Sequence, residues 1–102
     1  TNDYTLPVEI SLFEGTPDFG SNRLHWRTDS EENNLGFRVW RAPSEALGVV
    51  PPASRFVALG DWNTVNTLLG RDTYNGTTQY RFVDEQVEAG GLYCYKLESV
   101  DL

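Results

Sequence analysis

Few residues in this chain are of types that could do chemistry, and their settings do little to activate them. His25 is the single histidine. It stands beside Trp26 on an alternating run with no recognisable Ser or Cys nucleophile, so a surface role fits it better than that of a general base. Cys94 is the single cysteine and lies between two tyrosines. Without a neighbouring His or a helix N-terminus to hold a thiolate, it reads as a packed, inert thiol, and no disulfide can close within the chain. The run Asp29-Ser30-Glu31-Glu32-Asn33-Asn34 offers several oxygen ligands. It lacks the ordered spacing and closing Glu of a calcium loop and reads as a solvated turn. Glu31 and Arg41 are candidates for an ion pair tying that turn to the strand after it. These residues predict no catalytic group, no metal site and no cofactor.

Three aromatic residues, Trp40, Trp62 and Tyr74, are left over by the pattern that buries the others. Sugar rings stack on flat aromatic faces, with Asn and Asp placed to bind hydroxyls, and Trp62 has Asp61 and Asn63 beside it. A carbohydrate-binding surface is therefore the alternative function. The plainer reading has these rings covering a sheet face, touching a neighbouring domain or sitting in a long loop.

The elements that would position these groups are strands. Leu24-His25-Trp26-Arg27-Thr28 and Phe37-Arg38-Val39-Trp40-Arg41 alternate with a period of two, the mark of a strand buried on one face. Val8 to Leu12, after Pro7, reads as an edge strand, since proline cannot donate to a ladder. Arg55 to Leu59, Gln79 to Asp84 and Leu92 to Val100 complete about six strands. Between Trp62 and Thr78 no period is convincing. The predicted inward set is Val8, Ile10, Leu12, Leu24, Trp26, Phe37, Val39, Phe56, Tyr80, Phe82, Tyr93, Tyr95 and Leu97. The expected fold is all-β, a single domain over residues 1–102 built as an antiparallel two-sheet β-sandwich.

Composition agrees with this. Hydrophobic residues make up 39% and aromatics 13%, a globular balance, and 102 residues suffice for one core. The formal net charge of −7, with no basic stripe, disfavours nucleic acid and anionic membrane surfaces as partners. No apolar run is long enough for a membrane-spanning helix. The chain reads as a piece of something longer.

Over nearly its whole length the chain resembles the fibronectin type III-like modules of secreted bacterial proteins. The residues that carry the likeness are LPVEI at the start, Trp26, and Thr28, Ser30, Glu31, Asn33, Asn34, Gly36, Phe37, Val39 and Arg41. They continue with Tyr80-Arg81-Phe82-Val83-Asp84 and the run from Gly91 to Asp101. The resemblance implies a non-catalytic spacer or protein-interaction module at a bacterial surface or outside the cell, with flanking domains of the parent chain as partners. It implies that Trp26 fills the space between two sheets. It also implies that Tyr93 forms a tyrosine corner, its hydroxyl reaching a backbone acceptor between Val87 and Gly90. Such modules have a seventh strand, whereas this sequence stops where the sixth should end. Either the piece is cut short, or the strand assignments shift by one, or a partner strand completes the edge.

Overall fold

The long alternating stretch at the centre of the sequence forms one strand on which every other strand pairs. The computed structural model describes residues 8–59 and 69–101. In chain order they form β1 (Val8–Asp18), β2 (Ser21–Pro43), a 3-10 turn (Ala53–Arg55), β3 (Val57–Leu59), β4 (Leu69–Tyr74), β5 (Thr78–Asp84) and β6 (Tyr93–Asp101). All ladders are antiparallel and all include β2, which makes a six-stranded all-β sheet.

β2 has two limbs. Residues 21–31 lie between β1 and β5, with Trp26 across from Phe13 on one side and Tyr80 on the other. Residues 34–43 lie between β6 and β3, with Val39 across from Leu97 and Leu59. A straight strand would hold Trp26 and Phe37 roughly 36 Å apart at about 3.3 Å per residue. Their ring centroids are 5.4 Å apart, so the strand folds over between them and its two limbs meet face to face. The fold-over falls where the pairing with β4 shifts register between Glu31 and Asn34 and again between Asn34 and Gly36. Asn33 there takes a left-handed φ of 51°, which Asn tolerates better than most residues.

The core sits between the limbs. Leu24, Trp26, Phe37, Val39, Leu59, Tyr80 and Val8 are buried together, with Phe82, Tyr95 and Leu97 packed at their margin. Trp26 stacks on Tyr80 at 5.7 Å and meets Phe13 and Phe37 edge-on. Burial of each such side chain is worth about 1.5–3 kcal/mol before conformational entropy is counted.

Several expectations change. The two strands expected at 24–28 and 37–41 are one continuous strand, and the run from Asp29 to Asn34 is part of it, with Glu31 and Asn34 buried. β4 is an added strand, in a stretch whose sequence shows no period. β1 runs on to Asp18, past the strand end expected at Leu12, and reverses through Phe19 and Gly20, both at positive φ, as a type I′ two-residue hairpin requires. Ile10 is exposed at 41%, against the expectation of a core residue, and Leu12 is only half-buried. Register shifts between Glu9 and Ile10 and between Ile10 and Leu12 break the alternation there and swing Ile10 outward. β1 pairs only with β2 among the described residues, in keeping with the edge position that Pro7 suggests.

Candidate functional site

The fold-over of β2 is held by a buried carboxylate. Glu31, 3% exposed, accepts four hydrogen bonds, two on each oxygen. Oε1 takes the Asn34 side-chain amide at 2.7 Å and the Arg71 backbone N–H at 3.0 Å. Oε2 takes the Thr28 hydroxyl at 2.9 Å and the Tyr80 hydroxyl. Burial by itself would push the Glu31 pKa up. The bonds from Asn34, Tyr80, Arg71 and Thr28 outweigh it and hold the carboxyl below its ordinary value of 4.5. Burial and the adjoining Glu31 carboxylate push the Tyr80 phenol well above its usual range. Gly70 lets β4 approach, because a Cβ there would stand 2.7 Å from the Asn34 carbonyl oxygen.

The predicted Glu31–Arg41 pair is absent. Arg41 is about ten residues farther along β2, at the opposite end of the second limb, and neutral donors fill all four acceptor positions of Glu31. Arg41 instead places Nη1 2.8 Å from each oxygen of Asp84, which is 3% exposed. The Gln86 backbone N–H bonds Asp84 Oδ1 at 3.1 Å and the Tyr95 hydroxyl donates to Oδ2 at 2.8 Å. Asn22 donates to that hydroxyl at 2.8 Å. Burial, opposed by the Asn22 bond and reinforced by Asp84, leaves the Tyr95 phenol pushed up to about 12. This second cluster joins both limbs of β2, the end of β5 and the start of β6. Its signal was in the sequence: Arg41 shares the inward parity of Phe37 and Val39, and Asp84 that of Tyr80 and Phe82. A charge at an inward position needs a buried partner.

Tyr93 does reach back across the turn before β6. Its hydroxyl accepts the Glu88 backbone N–H at 2.8 Å, where a bond donated to a backbone oxygen was expected. The Glu88 carbonyl oxygen accepts the Gly91 N–H at 3.0 Å, closing the turn that the Tyr93 hydroxyl bond spans.

Trp40 lies on the outward face of the second limb, half-buried, with its indole N–H bonded to Glu98 at 3.1 Å and the Arg38 guanidinium 5.8 Å from its ring. Arg38 also pairs with Glu98 at 3.5 Å. A shallow hollow of about 340 Å³ runs beside it, lined by Trp40, Ala53, Phe56, Lys96, Leu97 and Glu98. Lys96 places its ammonium 4.1 Å from the Phe56 ring. Tyr74 is elsewhere, at the end of β4 opposite Glu31, with the Arg71 guanidinium 3.6 Å over its ring. Trp40 and Tyr74 therefore share no surface, and Trp62 lies outside the described residues. His25 sits on the other limb between Glu14 at 3.3 Å and Gln79 at 2.9 Å. The Cys94 thiol is 3.8 Å from the Val49 carbonyl oxygen.

Among the described residues no group of three or more His, Cys, Asp or Glu is placed to hold a metal ion, and no helix is long and apolar enough to cross a membrane. No family model, no curated protein and no solved structure matches the chain.

Proposed function

We propose that this chain is a fibronectin type III-like, two-sheet β-sandwich module that serves as a non-catalytic spacer or protein-interaction unit of a secreted or cell-surface bacterial protein. The observation that carries this reading is the doubled strand β2. Its two limbs face each other across an aromatic core and are tied by a buried polar cluster at each end, a construction that resists bending. In this reading the first limb with β1 and β5 is one sheet, and the second limb with β3 and β6 is the other. The Tyr93 bond to Glu88 supports it, since the hydroxyl reaches back across the turn as in a tyrosine corner, here accepting from the backbone instead of donating to it. The bacterial, extracellular setting comes with the family resemblance. The function is mechanical: to hold flanking domains at a fixed separation and present loops or an edge for contact. To test it, the chain is placed between two small spin-labelled domains and the inter-label distance distribution is measured. A single narrow distribution is expected, and one as broad as that of a flexible linker of equal length would overturn the proposal.

The hollow beside Trp40 supports the second reading, a carbohydrate-binding accessory domain, since it sets an aromatic ring next to Lys96 and Glu98. Titrating a glycan panel against tryptophan fluorescence, with Trp40→Ala as control, tests it. No response from any glycan would end it.

A further inference from the structure

Among the described residues β6 pairs only with β2, and no described strand lies along its other edge from Tyr93 to Asp101. The edge carries no proline to blunt it. A cleft of about 470 Å³ opens between β1 and the start of β6, lined by Phe13, Leu24, Leu92, Tyr93 and Tyr95 among others.

We propose that a second copy of this chain pairs there, β6 against β6, antiparallel and with the two-fold axis at Leu97. The register follows from charge. Side chains directly opposed in an antiparallel pair lie on one face, so the axis of a symmetric pair must pass through a residue and not between two. An axis at Lys96 sets Lys96 against itself, and one at Glu98 opposes two carboxylates; like charges directly opposed are destabilising. An axis at Tyr95 or Ser99 keeps only about half the strand in the ladder. The axis at Leu97 keeps all of Tyr93–Asp101 and sets Lys96 opposite Glu98 of the second copy, twice. It also continues rows already present in the sheet. Arg38 lies across from Glu98 on the outward face, so the row becomes Arg38, Glu98, then Lys96 of the second copy, alternating in sign. On the inward face Val39 and Leu97 meet Leu97 and Val39 of the second copy.

Sedimentation of the 102-residue chain from micromolar to millimolar concentration tests this, and a monomer–dimer equilibrium is expected. Lys96→Glu and Glu98→Lys should each weaken self-association by about tenfold or more, because each opposes like charges. An equimolar mixture of the two variants should associate, since every opposed pair is again of opposite sign. A chain that stays monomeric at millimolar concentration overturns the proposal, as does a dimer indifferent to both substitutions. Hydrogen exchange on the unsubstituted chain removes any dependence on how the variants fold. Amides from Tyr95 to Ser99 that face the free edge gain protection as concentration rises if the proposal holds, and their exchange is independent of concentration if it fails.

Discussion

The molecule buries two carboxylates in two different ways. Glu31, at the fold-over of β2, is held by four neutral donors, and no cation among the described residues is bonded to it. Asp84, at the other end, is held by a guanidinium, a phenol and a backbone amide. The difference shows two solutions to one cost, the removal of a charge from water. At Glu31 the donors come from β2 itself, β4 and β5, so the carboxylate fixes the geometry of a bend. At Asp84 the partners come from the second limb, from β6 and from the backbone just after β5, so the ion pair and phenol fix how the far ends of the strands meet.

The two clusters should break differently. Asp84→Ala leaves the half-buried Arg41 guanidinium without its counter-charge and frees Tyr95; about 3–5 kcal/mol of stability should be lost in urea denaturation. Glu31→Gln keeps the shape but turns an amide donor toward donors already present, and should cost about 1–3 kcal/mol by the same measurement. The Glu31 pKa is lower in the folded than in the unfolded chain. The ionised carboxylate therefore stabilises the fold above the unfolded value near 4.5, and that contribution disappears as pH falls through the lower folded value. Stability followed by urea denaturation from neutral pH down past 4.5 should decline on acidification in the unsubstituted chain, and Glu31→Gln should remove Glu31's share of the decline.

Tyr93→Phe removes one bond in the turn before β6 and should cost about 0.5–1.5 kcal/mol, less than either carboxylate change. Trp40→Phe should be the mildest. It removes a bond to an exposed carboxylate and should shift stability by no more than about 0.5 kcal/mol. A Trp40 effect as large as that of Asp84→Ala would mean that the outward face of the second limb carries as much of the fold as the buried clusters do.

The period of two settled much of this protein by itself. It marked the strands around Trp26, Val39, Tyr80 and Leu97 and put Leu24, Trp26, Phe37 and Val39 on the buried side. It left Trp40 facing out. All of these depend on near neighbours in the chain, and local alternation reports near neighbours well. Tertiary structure alone decided that Asp29 to Asn34 continues a strand, that Ile10 turns outward, and that Glu31 is buried without Arg41. The reason is distance along the chain. The groups that satisfy Glu31 include Arg71 and Tyr80, 40 and 49 residues away, and Arg41 and Asp84 are 43 apart. Whether an acidic residue in a polar run is solvated or buried depends on donors that only the folded chain brings to it.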